Sequence, residues 1–115
     1  MNKSTIAIDV FLGDDKVPEQ LSWTANPADG AQTAKAMLVS FWDGAEKTAL
    51  HIDLWTKEMM VDEMADFFYQ TVMGMADTFD RATHNHELVH DMKHFAKNFI
   101  QKFRDQQMKE GQANL

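Results

Sequence analysis

Apolar and polar residues alternate along the first half of the chain. Over residues 4–12, Ile6, Ile8 and Val10 fall on one side and polar residues fall mostly on the other, a pattern typical of a half-buried strand. Further alternating segments predict strands at residues 20–24, 34–42 and 47–56. Asp43-Gly44 predicts a hairpin turn between the last two. We therefore expect four sequential antiparallel strands within residues 4–56, with a loop at residues 26–31.

The period changes to that of a helix at Val61. Apolar residues then recur every three or four positions, which predicts one amphipathic helix over about residues 60–82. A second is expected over about residues 85–109, with Asn85 as its N-cap and a frayed tail at residues 110–115. The prediction is one α+β domain over residues 1–115, in which a four-stranded antiparallel meander sheet is followed by two C-terminal helices packed on one face.

Small residues form a neighbouring stripe on the first predicted helix, centred on Gly74. Glycine inside a helix costs about 1 kcal/mol relative to alanine, and a close approach by another backbone would explain it. We expect the second helix, or a partner chain, against this stripe.

Composition excludes several classes of function. The 115 residues include no cysteine, which excludes disulfides and thiolate metal sites. A net charge of -7 argues against nucleic acid as a partner. No apolar run approaches the roughly 20 residues of a membrane span, and the N-terminus lacks the apolar core of a signal peptide. We expect an acidic, cytoplasmic protein without stable membrane insertion.

The negative charge is concentrated on the first predicted helix. Residues 58–83 carry 6 acidic residues and 1 basic residue. Acidic residues in the first turn, among them Asp62 and Asp66, complement the helix dipole. Asp77 and Arg81 are spaced for an ion pair within the helix.

Histidines at four-residue spacing mark the second predicted helix. His86, His90 and His94 lie on one side of it, where neighbouring histidines could bind a metal. His86 and His94 are roughly 12 Å apart along the axis, so one ion would need a ligand from elsewhere. A solvated polar face explains the series more simply, so metal binding is retained only as a minor alternative.

A second candidate for chemistry lies on the last predicted strand. His51 and Asp53 fall on the same side of it, and a carboxylate, with Asp9 as a further candidate, could orient the imidazole for base catalysis. No nucleophile is identifiable beside them, and hydrogen bonding or an interface role explains the pair. We therefore assign no catalytic residues and no cofactor.

Apolar residues exceed what one small core needs. The chain has 9 methionines, 8 phenylalanines and 3 tryptophans. Surplus apolar surface in a domain of this size is typical of oligomers and partner-binding proteins. We therefore expect a homo-oligomer, with a dimer as the simplest case. The predicted interaction residues are Trp42, Asp53, Trp55, Asp62, Asp66 and Tyr69.

An ordered series of motifs resembles the gliding motility-associated protein GldC family. It runs from Ile52-Asp53-Leu54-Trp55-Thr56-Lys57 through Val61-Asp62-Glu63-Met64 and Phe67-Phe68 to Arg81-Ala82-Thr83, with earlier pieces at Lys16-Val17-Pro18-Glu19 and Trp42-Asp43. The resemblance covers about two thirds of the chain and fades from His84 onward.

The resemblance implies an accessory component of bacterial gliding motility with no enzymatic activity, whose partners are proteins of the gliding or secretion machinery. It supplies no catalytic residues. The order of predicted elements is also similar to that of the export chaperone SecB, although no motif supports this. A SecB-like cytoplasmic chaperone or adaptor for exported proteins is therefore the alternative. Any docking surface on the helix pair is expected chiefly on the first helix.

Overall fold

A computed structural model describes residues 1–113, and these residues confirm the α+β class. The chain divides into two compact units, Met1–Met60 and Val61–Leu115, and each is described by itself. The first is called the sheet unit and the second the helical unit. The strands are β1 (Ala7–Leu12), β2 (Pro18–Thr24), β3 (Gln32–Ala34), β4 (Ala36–Asp43) and β5 (Thr48–Trp55), and the helices are α1 (Val61–Thr83) and α2 (His86–Ala113).

The sheet unit contains five strands in two antiparallel sheets, where four strands in one sheet were expected. One sheet has the order β1-β2-β3, and the other consists of β4 and β5. The extended segment over residues 32–43 bends at Lys35, so that its first part pairs with β2 and its second with β5. The backbone N–H and the hydroxyl of Thr56 both donate to the Lys35 carbonyl, at 2.8 and 3.0 Å. These hydrogen bonds fix the point at which the strand passes between sheets.

The β4–β5 connection is a four-residue loop. The Asp43 carboxylate accepts hydrogen bonds from the backbone N–H groups of Ala45 and Glu46, at 3.0 and 3.2 Å. The left-handed residue of the loop is Lys47, with φ 53°, and not Gly44. The hairpin that Asp43-Gly44 predicts is therefore present, with its left-handed position three residues later.

The segment over residues 26–31, expected to be a loop, contains one turn of 3-10 helix at Pro27–Asp29. The Asn26 side chain caps this turn by accepting a hydrogen bond from the Ala28 N–H at 3.0 Å. Gly30 ends it with φ 72°, a left-handed conformation that favours glycine. The turn leads directly into β3.

The helical unit is a hairpin of α1 and α2. His84, with φ 53°, ends α1, and Asn85 caps α2 because its side chain accepts a hydrogen bond from the Leu88 N–H at 3.2 Å. The predicted N-cap is therefore confirmed. The second helix continues to Ala113, so residues 110–113, expected to fray, are helical. Residues 114–115 lie outside the described part of the chain.

Small residues form the seam between the helices, but Gly74 is not among them. Gly74 is exposed, and a Cβ built on it would meet no atom within 4 Å apart from its own stretch of helix. The expectation that α2 packs against the Gly74 stripe is therefore wrong, and contact with a partner chain there stays a prediction. The apolar residues buried in the helical unit are instead Ala65, Ala76, Val89, Ala96 and Ile100. Three of these five are alanines, which lets the two helices approach closely along a different side of α1.

None of the helices within residues 1–113 is long and apolar enough to cross a membrane. The two α-helices, α1 and α2, are amphipathic, and charged residues interrupt their apolar stretches.

Candidate interaction surfaces

The β4–β5 hairpin has two chemically different faces. Its register pairs Ser40 with His51, Leu38 with Asp53 and Trp42 with Ala49. Because side chains alternate along a strand, these residues share one side of the hairpin. This side is called the tryptophan face, and it consists of Leu38, Ser40, Trp42, Ala49, His51, Asp53 and Trp55.

The two tryptophans of this face are exposed and lie at opposite ends of it. Trp42 is 69% exposed and Trp55 57% exposed. Trp42 pairs with Ala49, and Trp55 lies six residues further along β5, which is roughly 20 Å at the rise of a strand. The tryptophan face therefore presents two separate aromatic anchors.

His51 and Asp53 form the polar centre of the tryptophan face. Nδ1 of His51 lies 2.7 Å from Oδ2 of Asp53, and both side chains are well exposed. This confirms the pairing predicted from the sequence. Sequence reasoning missed Ser40, which faces His51 across the hairpin, because the residue opposite a histidine depends on strand register.

An apolar groove lies on the other side of the β4–β5 hairpin and is called the sheet groove. Its volume is about 190 Å³. Of the residues that line it, Ile52 is 54% exposed, Ile8 41% and Val10 39%, whereas Met37 is buried. The groove brings β1 to the same surface as β4 and β5. Its lining residues are Ile8, Val10, Met37, Val39, Ile52 and Leu54.

An ion pair connects the segment after β5 with the β1–β2 turn. The Lys57 ammonium lies 2.6 Å from Oδ2 of Asp15 in the β1–β2 turn. The hydrogen bond from Lys57, helped by one from the Val17 N–H, lowers the pKa of Asp15, and the same pairing raises the pKa of Lys57. The pair ties the segment after β5 to the first turn.

The predicted interaction residues on α1 form one stripe. Asp62, Asp66 and Tyr69 are separated by four and three residues and so lie on one side of the helix. Both carboxylates are exposed, and the tyrosine is half-buried. The six predicted residues thus fall into two groups, one on the tryptophan face and one on this acidic stripe.

A second ion pair marks the polar side of the helical hairpin. Asp77 pairs with Lys93 of α2 at 2.8 Å and not with Arg81, which donates to the Thr78 hydroxyl at 3.2 Å. The predicted pair within α1 is therefore replaced by one between the helices. The hydrogen bond from Lys93 lowers the pKa of Asp77, and Asp77 raises the pKa of Lys93.

Large apolar residues occupy the opposite side of the helical hairpin. Phe68 and Met75 lie about 160–180° around α1 from Asp77, and Phe95 and Phe99 lie about 120–160° around α2 from Lys93. The rings of Phe95 and Phe99 stack with centroids 6.4 Å apart. This surface is called the hairpin apolar face, and its exposed residues are Val61, Phe68, Met75, Leu88, Phe95 and Phe99.

One protein family matches most of the chain. The family model described as "Gliding motility-associated protein GldC-like" matches residues 18–105, which are 88 of the 115 residues. The chain belongs to the GldC-like family. This confirms the resemblance predicted from the sequence and associates the protein with gliding motility. No curated protein and no solved structure matches the chain.

The GldC-like match includes all of the tryptophan face and all of the acidic stripe, but not β1. The sheet groove therefore takes part of its wall, Ile8 and Val10, from outside the matched region. The match also continues past His84, where the resemblance was expected to fade. The histidine series thus lies within the region that this chain shares with its family.

The histidines of α2 do not converge. His86 lies 3.3 Å from Asp80 of α1, whereas the rings of His90 and His94 stack on each other with centroids 6.1 Å apart. Within residues 1–113, no group of three or more histidine or acidic side chains is placed to hold a metal ion. The arrangement fits a polar helix surface.

Proposed function

We propose that this GldC-like protein is a non-enzymatic accessory component of gliding motility that acts by binding other proteins. The observation that carries the proposal is the tryptophan face. The cytoplasmic location that the sequence predicts is part of the proposal.

The composition of the tryptophan face favours protein binding. Tryptophan is among the residues most enriched at the centres of protein interfaces, because it buries a large apolar surface and can also donate a hydrogen bond. Trp42 and Trp55 expose most of their surface without a bound partner. The exposed pair of His51 and Asp53 between them supplies polar groups suited to orienting a partner.

The acidic stripe on α1 is proposed as a second contact surface. Asp62 and Asp66 lie in the first turns of the helix and are exposed beside Tyr69. Electrostatic complementarity would favour a basic segment of a partner protein here. We further propose that the chain forms a homodimer, because large apolar residues remain exposed in both units.

The proposal assigns no catalytic role to His51 and Asp53. The hydrogen bond between His51 and Asp53 could orient an imidazole, but both side chains are exposed on a strand surface. Water screens charges there, whereas catalytic electrostatics depend on a site that excludes water. The pair is better suited to hold the polar part of an interface in a fixed geometry.

The function is tested by genetic complementation in a gliding bacterium that lacks its own copy of this protein. The wild-type chain is expected to restore colony spreading. A variant with both Trp42→Ala and Trp55→Ala is expected to restore little or none. Both proteins must accumulate to the same level and give the same circular dichroism spectrum.

Phe41→Ala is the matched control, because Phe41 is also an exposed aromatic residue of β4 but points to the opposite side. This variant is expected to restore spreading. Full spreading by the double tryptophan variant would contradict the proposed role of the tryptophan face. Failure of the wild-type chain to restore spreading would contradict the role in motility itself.

A chaperone-type holding function is the second candidate, and the sheet groove favours it. An open apolar groove can bind exposed apolar segments of unfolded exported proteins. If this holds, the protein suppresses aggregation of an unfolded client, and Ile52→Asp in the groove abolishes the effect. Aggregation that proceeds unchanged with the protein in molar excess would refute this candidate.

A further inference from the structure

Within residues 1–113, strand β5 pairs along one edge only. That edge is bound by β4, and the sheet has no third strand in this part of the chain. The N–H of Thr56 donates to the Lys35 carbonyl across the residue pair that continues the β4–β5 register. Because hydrogen-bonded and non-hydrogen-bonded pairs alternate between antiparallel strands, this bond fixes which backbone groups point away from β4. The residues whose N–H and C=O groups point to the free edge of β5 are Ala49, His51, Asp53 and Trp55.

The free edge of β5 lacks the features that commonly block strand pairing. The strand contains no lysine or proline, and its pairing with β4 runs through eight residue pairs without a bulge. Seven of its eight residues are exposed. The edge of β1 differs, because its register shifts between Phe11 and Leu12, and the first four residues of β4 are half-buried or buried. Of these three edges, that of β5 is therefore the best suited to accept another strand.

The sequence of β5 complements itself in one antiparallel register. Residues that direct their backbone groups to the free edge must pair with one another, so the possible registers differ by two residues. Where Ile52 lies opposite Ile52 of a second copy, His51 of each copy faces Asp53 of the other. In the same register the small side chain of Ala49 faces the large one of Trp55. The tryptophan side of the strand therefore matches its own copy in both charge and size.

The apolar side of β5 agrees with this register, and the neighbouring registers match less well. Leu50 faces Leu54 of the second copy when the two Ile52 residues are opposite each other. A shift by two residues in one direction places the two Asp53 carboxylates together, which is unfavourable. The opposite shift places the two His51 side chains together and loses their match with a carboxylate. Charge complementarity therefore selects the register in which His51 meets Asp53.

From these observations we propose that the free edge of β5 pairs with the same edge of a second copy of this chain. The result is a four-stranded antiparallel sheet in the order β4-β5-β5-β4, with a two-fold axis between the two Ile52 residues. The inference rests on the homodimer of the proposed function and assigns its interface. Since directly opposite residues point to the same side of a sheet, the two tryptophan faces join. Trp42 and Trp55 of both copies then lie on one surface, which remains available for a different protein.

A single cysteine at the two-fold axis tests the interface and its register together, because the chain has no cysteine of its own. The Cα atoms of a non-hydrogen-bonded pair lie about 4.5 Å apart, within the range of a disulfide. Mild oxidation of Ile52→Cys is therefore expected to give a covalent dimer of about twice 13.2 kDa on a non-reducing gel. Phe41→Cys is the matched control, because Phe41 is similarly exposed on the same side of the hairpin but belongs to β4. This variant is expected to remain largely uncrosslinked.

Sedimentation equilibrium of the full chain tests the backbone pairing. The wild-type protein is expected at about twice 13.2 kDa at tens of micromolar. His51→Pro removes an N–H that points to the free edge and keeps the hydrogen bonds to β4, so it is expected to raise the dimer Kd at least about tenfold. Ser40→Pro is the matched control, because Ser40 lies opposite His51 and its N–H points to the other edge of the hairpin. This variant is expected to keep the wild-type Kd.

Several results would overturn the inference. A wild-type chain that stays at 13.2 kDa at tens of micromolar contradicts both this interface and the proposed homodimer. A dimer that Ile52→Cys does not crosslink above the Phe41→Cys control contradicts this interface alone, and this test holds even if His51→Pro unfolds the chain. An unchanged Kd in a folded His51→Pro variant does the same. A disulfide from His51→Cys in place of Ile52→Cys contradicts the register. The role in motility is judged separately by colony spreading.

Discussion

The sheet unit and the helical unit bury different kinds of residue. In the sheet unit, the fully buried side chain is a large one, Leu21, and Met37 is also buried. In the helical unit, alanines form most of the seam, and the phenylalanines of α2 lie partly or largely in solvent. Ordinary cores place large apolar residues inside because burial stabilises in proportion to area. The helical unit instead buries small residues in its seam and leaves Phe95 and Phe99 exposed.

The largest expected effect belongs to the buried leucine of the sheet unit. Leu21→Ala removes a fully buried side chain and should lower the free energy of unfolding by about 3 kcal/mol. All three tryptophans lie in the sheet unit, so their fluorescence during urea denaturation reports this unit. Leu12→Ala, at a 58% exposed position of β1, is the control and should cost less than about 1 kcal/mol. Equal costs would mean that burial is not concentrated at Leu21.

The alanine seam predicts the next largest effect. Ala96 is 1% exposed, so Ala96→Leu should force the helices apart and destabilise the helical unit by about 2 kcal/mol. The loss of helical circular dichroism with urea measures this. Lys97→Leu adds a similar side chain at the exposed neighbouring position and should change little. A tolerated leucine at position 96 would show that the seam is not closely packed.

At the exposed Gly74 of α1 we expect a smaller change in stability, in the stabilising direction. Gly74→Ala adds a methyl group where no atom outside its own stretch of helix lies within 4 Å, and alanine favours the helix, so the helical unit should gain about 0.5–1 kcal/mol. The same urea measurement applies. A loss of stability would instead mean that another backbone packs against Gly74, as the sequence suggested.

The smallest expected effect is a pH-dependent change in stability caused by the ion pair between Asp77 and Lys93. The pKa of Asp77 is lowered from 3.8, so its stabilisation is present above that value and is lost as pH falls through the lower folded pKa. The pKa of Lys93 is raised from 10.5. Its contribution to stability is therefore present below pH 10.5 and is lost as pH rises through the higher folded pKa.

Wild type and Asp77→Asn should therefore differ slightly in urea midpoint at neutral pH. The two should converge as the pH falls below 3.8 and through the lower folded pKa of Asp77, because the carboxylate then becomes protonated. Asp62→Asn, which replaces an exposed carboxylate elsewhere on α1, is the control for the loss of one charge. A difference between wild type and Asp77→Asn that persists in acid would rule out the carboxylate charge as its cause.

Local patterns in the sequence predicted most of the elements but not the division of the sheet. The alternation around Ala34 and Ala36 continues across Lys35, so nothing local marks the bend. The bend depends on hydrogen bonds from Thr56, which is 21 residues away. Contacts at that separation depend on the folded chain and leave no periodic signal.

The candidate site was predictable where it depended on one element and not where it depended on two. Alternation along β5 was enough to place His51 beside Asp53. The partner of Asp77 was not predictable, because local spacing favoured Arg81, whereas the hairpin brings Lys93 from another helix. The alanine seam did leave a signal, since Ala65 and Ala76 are separated by 11 residues, or about three helical turns.

Photo-crosslinking in gliding cells tests most directly whether the tryptophan face binds another protein. A photoreactive amino acid replaces Trp55 on the tryptophan face, or His90 as the control. We expect an adduct with a different protein from position 55 that is absent from position 90. No adduct above the control at position 55 would contradict the proposed role of the tryptophan face.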